Sequence, residues 1–133
     1  MATIFTKIIQ GEIPGYIVAE DEHFCAFLDA FPVQYGHTLV VPKREENYLF
    51  DLEDSELSEM ILFAKKVAAA IKKATSCNRV GMAVMGLEVP HAHIHLIPIQ
   101  KEKDMDLSLI HISRQAARAS YLDMKVGKRV SYL

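Results

Sequence analysis

Residues 90–98 read Pro90-His91-Ala92-His93-Ile94-His95-Leu96-Ile97-Pro98. Side chains alternate across an extended chain, so His91, His93 and His95 share one face and Ala92, Ile94 and Leu96 share the other. The second set is apolar and suits a core. The first does not, because each imidazole brings two polar ring nitrogens that a dry interior would leave in need of partners. Val89 to Ile99 is therefore expected to form a strand with one face in the core and the other turned towards a site.

Working outward, His37-Thr38-Leu39-Val40-Val41 is a second strand, dense in β-branched residues and stopped by Pro42. Tyr16 to Ala19, Phe24 to Leu28, and Arg79 to Val84 around Gly81 are further strand candidates. From Asp54 to Ala74 the pattern changes. Leu57, Met60, Ile61, Ala64, Val67, Ala68 and Ile71 recur at spacings of three and four, which makes one apolar stripe on a helix. Its acidic residues lie in front and its lysines behind, as the helix dipole prefers, with Asp51 or Asp54 as the expected cap. Residues 3–9 are short and mostly apolar, and Gly11, Pro14 and Gly15 mark turns after them. A second helix is expected from about Leu107 to Leu122, followed by a tail. Short strands with brief connections and one long helix indicate an α+β domain. Its sheet is expected to be mostly antiparallel, with helices on one face.

A chain of 133 residues is long enough for one hydrophobic core. We expect a single domain over 1–133, with 104–133 forming a C-terminal helix and tail extension. The composition, 50% hydrophobic and 24% charged, is that of a globular chain and not a disordered one. The net charge of -2 and the lack of a dense basic run argue against a nucleic-acid polymer as partner, since such binding rests on many phosphate contacts. A single nucleotide is compatible with both. Cys25 and Cys77 form no CxxC pair and are expected to be reduced thiols. The first residues lack the basic start and apolar core of a signal peptide, and no run approaches a membrane span. The expected location is the cytoplasm.

Three readings of the histidine triplet compete. It can be a solvated stripe without chemistry. It can hold a metal, two imidazoles sharing a zinc with a third ligand from elsewhere. Or it can do nucleophilic and acid–base chemistry, since a neutral imidazole attacks phosphorus and carries protons near neutral pH. Spacing alone does not separate the last two.

The run HAHIHLI resembles the His-x-His-x-His signature of the histidine triad (HIT) family, particularly its nucleoside phosphoramidase branch. The resemblance extends to IFTKIIQGEIP, to Ala26-Phe27-Leu28-Asp29, and to Gly36-His37-Thr38-Leu39-Val40-Val41-Pro42-Lys43, covering roughly residues 4–100. It implies a compact α+β domain that pairs into a two-fold homodimer and hydrolyses purine nucleotide conjugates such as phosphoramidates. In that reading His93 attacks the α-phosphorus and becomes nucleotidylated, and water then releases the nucleoside monophosphate. His95 contacts the phosphate and helps protonate the leaving group. His91 orients His93, partly through its backbone carbonyl, and His37 completes the histidine set. Asp29 holds the ribose hydroxyls, and Phe5, Ile8 and Phe27 form the apolar wall for the base. No cofactor or metal is implied. The alternatives are a non-catalytic nucleotide-binding module and a histidine-ligated zinc protein.

The segment before the triplet departs from the family pattern. The loop is short, an expected asparagine has no counterpart, Leu87 stands where glutamine is expected, and Glu88 occupies the hydroxyl position. Leu87 has no donor for a phosphate oxygen. An ionised Glu88 repels one, though it suits an amine-bearing leaving group. These changes imply lower or altered turnover of the usual phosphoramidates. Leu87→Gln is expected to raise turnover of an adenosine phosphoramidate; steady-state kinetics showing no gain would count against this.

Overall fold

A computed structural model describes residues 2–105. The expected helix at 107–122 and the tail after it lie outside the described residues. In order, the elements are α1 (Ile4–Ile9), β1 (Ile17–Glu20), β2 (Phe24–Leu28), β3 (Thr38–Pro42), α2 (Asp54–Thr75), β4 (Arg79–Ala83) and β5 (Ile94–Ile99). Single 3-10 turns occupy Leu49–Asp51 and Glu102–Met105.

The strands form one sheet in the order β1-β2-β3-β5-β4. Every neighbouring pair is antiparallel. β3 and β4 therefore run parallel to each other, and α2 is the crossover between them. The chain then turns back through residues 84–93 and inserts β5 in the gap, opposite Leu39 of β3 and Ala83 of β4 at His95. This insertion brings the triplet to the middle of the sheet.

Alternation divides the buried residues into two cores. Phe24, Ala26, Leu28, Val40, Ile94 and Leu96 face α2, whose Met60, Ala64, Val67 and Ile71 are fully buried. At about 1.5–3 kcal/mol for each large apolar side chain buried, this face outweighs the helix's intrinsic propensities. Cys25, Phe27, Leu39 and Val41 point the other way and pack with Phe5, Ile8 and Ile9 of α1. The sheet thus has a helix on each side, where the sequence suggested helices on one face only. Burial pushes the Cys25 thiol up to about 12, so it stays protonated at neutral pH.

Residues 4–9, given no element from the sequence, form a helix, capped by the Thr3 side chain, which accepts from the Thr6 amide. Three local expectations differ in detail. The N-cap of α2 is Glu53, without a side-chain cap bond, and neither Asp51 nor Asp54 serves. Within α2, Phe63 is buried against Phe24 with ring centroids 5.8 Å apart, while Ile61 is 40% exposed. Finally, β5 begins at Ile94 and not near Val89. Pro90 has no amide to give a ladder. The His91 amide turns back to the Val89 carbonyl at 2.8 Å, and the Ala92 amide bonds the Glu46 carbonyl at 2.6 Å. His91 and His93 therefore sit on a lead-in, bent at His91, that is tied to the segment after β3. The alternation still holds there: Ala92 enters the α2 core and the imidazoles face α1.

Candidate functional site

The α1 side of the sheet carries a cavity of about 430 Å³, within the size range of small-ligand sites. Phe5, Ile8 and Phe27 form one wall, and Asp29, His37, His93 and His95 also line it. Phe5 is the centre of this packing. Its ring meets Phe27 edge-on at 5.3 Å and His93 edge-on at 5.1 Å, and lies 5.6 Å from His91. The Met85-Gly86-Leu87-Glu88-Val89 loop forms the rim, where Gly86 has φ +72 and Leu87 is 88% exposed. A positive φ is readily adopted by glycine, which lets the rim turn tightly.

The hydrogen bonds assign the imidazole tautomers. His93 Nδ1 lies 2.7 Å from the His91 carbonyl oxygen, which can only accept, so Nδ1 carries the proton and Nε2 keeps its lone pair. The buried Val33 amide donates to His37 Nδ1 at 3.1 Å. A neutral His37 therefore carries its proton on Nε2, which lies 2.9 Å from His95 Nδ1. His95, accepting at Nδ1, holds its own proton on Nε2. The His93 and His95 rings stand edge-to-face, 4.9 Å apart. One ring thus offers a lone pair and its neighbour an N–H, a nucleophile beside a hydrogen-bond donor for a phosphate oxygen.

His91 plays a different part. It is fully buried and does not line the cavity. Its Nε2 donates to the Pro42 carbonyl at 2.8 Å, and its Nδ1 meets the Thr3 hydroxyl at 2.6 Å. Asp29 does two things at once. One carboxylate oxygen accepts from the Phe31 amide at 2.9 Å and shapes the turn after β2; the other lies 3.5 Å from His37 Nε2. Glu88 is exposed on the rim. Asp29, His37 and His95 have donor atoms within 4.8 Å of one another, a grouping of metal-ligating types. It includes one member of the triplet, His95, where the sequence suggested two sharing a zinc; His91 spends both ring nitrogens on Pro42 and Thr3, and His93 is not in the grouping.

Thr3 and Glu45 were not singled out from the sequence. Thr3 had a local signal, a threonine directly before Ile4 and Ile8 at helical spacing. Glu45 had none, since it meets Thr3 only across 42 residues of chain.

Comparison with known proteins identifies the family and the fold. Residues 10–102 match the HIT domain. An uncharacterized HIT-like protein of Methanocaldococcus jannaschii is 46% identical over 100 residues, covering 71% of this chain and 77% of that one. The adenosine 5'-monophosphoramidase of Saccharomyces cerevisiae is 39% identical over 103 residues, covering 77% of this chain and 65% of the other. A crystal structure of a HIT family member from Bacillus subtilis superposes with a TM-score of 0.73 at 29% identity, covering 92% of this chain and 96% of that one.

Burial holds the His91 imidazole below its ordinary value of 6.5, outweighing the Pro42 carbonyl and the Glu45 carboxylate, which favour the charged form. The unfolded chain therefore binds more protons than the folded one as pH falls from that value towards the lowered one. His91 contributes stability that is complete above about pH 6.5 and is lost as pH falls towards the lowered folded value. The urea midpoint is expected to drop as pH falls below about 6.5, and His91→Asn to flatten that slope. Equal slopes in the two proteins would refute the assignment.

Proposed function

The chain belongs to the HIT domain family, and from that premise we propose that it hydrolyses purine nucleoside phosphoramidates, or related nucleotide conjugates, at the α-phosphorus. The observation that carries this reading is the 2.7 Å bond from His93 Nδ1–H to the His91 carbonyl, which keeps the lone pair on Nε2. The yeast relative, an adenosine 5'-monophosphoramidase, supports the substrate class.

The steps follow from the tautomers. The base lies against Phe5, Ile8 and Phe27, and the ribose hydroxyls donate to the Asp29 carboxylate. His93 Nε2 attacks the α-phosphorus, a P–N bond to the histidine forms, and the P–N bond to the leaving amine breaks. The substrate's bridging nitrogen enters protonated and so departs as a neutral amine, while His95 Nε2–H donates a hydrogen bond to a phosphate oxygen. Water then attacks the same phosphorus, cleaves the bond to His93 and releases the nucleoside monophosphate, its spare proton passing to the departed amine. His37, holding His95 Nδ1 at 2.9 Å, keeps that N–H on the phosphate through both steps. Splitting the hydrolysis in two lets one imidazole serve as nucleophile and a second as phosphate donor.

Glu88 on the rim places a carboxylate where the leaving group exits and favours an amine there. The non-catalytic nucleotide-binding alternative predicts binding without a covalent adduct. Incubation with an adenosine phosphoramidate and rapid acid quench is expected to yield an adenylyl adduct on His93 by mass analysis. His93→Ala is expected to abolish it and lower turnover by at least ~10³-fold. Nucleotide binding with no adduct and no turnover in the parent would establish the alternative.

The reading includes a two-fold homodimer through α2 and a sheet edge. Ile61 and Leu62, 40% and 59% exposed on α2, give that helix an apolar outer side. Light scattering at micromolar concentration is expected to give twice the protomer mass; a monomer mass would exclude the dimer.

A further inference from the structure

We propose that Thr3 is a positioning residue: its hydroxyl fixes the tautomer and placement of His91, and thereby the carbonyl that orients His93. The catalytic consequence rests on the function proposed above; the effect on the two imidazoles does not.

The argument follows the protons. Thr6 Oγ1 donates to Glu45 Oε1 at 2.6 Å, and the Thr3 amide donates to the same oxygen at 2.9 Å. Thr3 Oγ1 accepts from the Thr6 amide at 3.1 Å, capping α1. Its single hydroxyl proton has two acceptors in reach: Thr6 Oγ1 at 3.2 Å and His91 Nδ1 at 2.6 Å. The shorter contact is to His91. There the buried ring nitrogen must accept, because Nε2 spends the ring's proton on the Pro42 carbonyl. The exposed Glu45 carboxylate thus orients two threonines, and one of them reaches the buried imidazole.

The consequence passes along the backbone. His91 is held by its ring at both nitrogens and by its amide on Val89, and the next amide is held by Glu46. The carbonyl between those two amides receives His93 Nδ1–H. Without the hydroxyl, His91 Nδ1 becomes a buried acceptor without a donor. The ring then gains by rotating or taking a second proton, and either change moves the carbonyl. A displacement of well under an ångström is enough to slow in-line attack.

The test uses the full chain and separates the donor from the cap. Thr3→Gly removes the donor but retains most of the capping preference, Thr3→Val removes both, and Thr3→Ser keeps both. Two readouts are taken: ¹⁵N NMR of the histidine rings without ligand, and the single-turnover rate of adenylyl-His93 formation from an adenosine phosphoramidate. In the parent, the expected tautomers are Nε2–H for His91 and Nδ1–H for His93. Gly and Val are expected to shift both residues' ring resonances and slow adduct formation about tenfold, with AMP affinity changed less than about twofold; Ser is expected to restore all three. Unshifted ring resonances in Thr3→Gly would overturn the proposal, as would an unchanged rate in a parent that forms the adduct. If the parent forms no adduct, the proposed reaction fails, and the NMR comparison alone decides the role of Thr3.

Discussion

The hydrogen bond from His93 Nδ1 to the His91 carbonyl is the constraint on which the site depends. An imidazole free to exchange tautomers presents a lone pair at Nε2 only part of the time. Tied to a carbonyl at 2.7 Å, it presents one there throughout. The carbonyl is itself fixed because His91 is buried and bonded at both ring nitrogens. Burial of a polar ring, which carries a desolvation cost, is thus what makes the neighbouring ring directional.

The fold supplies the rest by alternation. One face of the sheet is spent on α2 and provides the apolar burial that stabilises the domain. The other carries α1, the cavity and the imidazoles. Because β5 is inserted between β3 and β4, His95 is flanked by ladders on both sides, at Leu39 and Ala83. A residue held from both sides has little freedom to drift, which suits the phosphate-donor role proposed for it.

Much of this was legible in the residues. The stripe from Leu57 to Ile71 spans about four turns of helix, and a period that long is hard to mistake. The triplet's alternation correctly separated Ala92, Ile94 and Leu96 from the imidazoles. The illegible parts share a physical reason: they are short or non-local. A six-residue α1 has too few turns to show a period. The start of β5 depends on where the Ala92 amide finds its acceptor, 46 residues upstream at Glu46. Ile61 and Phe63 are both apolar, and the choice between them is made by Phe24, on a strand the helix pattern does not contain. The roles of Thr3 and Glu45 arise only once the first residues lie beside the ninetieth.

That last separation has a bearing on biogenesis. A helix of six residues does not persist alone in water, because nucleation takes more than so few bonds return. The wall of the cavity therefore has little to hold it until the strands beneath Phe5 have paired and His91 has reached Thr3, 88 residues along the chain. On a ribosome, the α1 segment emerges before the strands it packs on and docks late. The pocket is closed by an earlier-made part of the polypeptide only after a later part has been made, so a product cut short before His91 has no complete cavity.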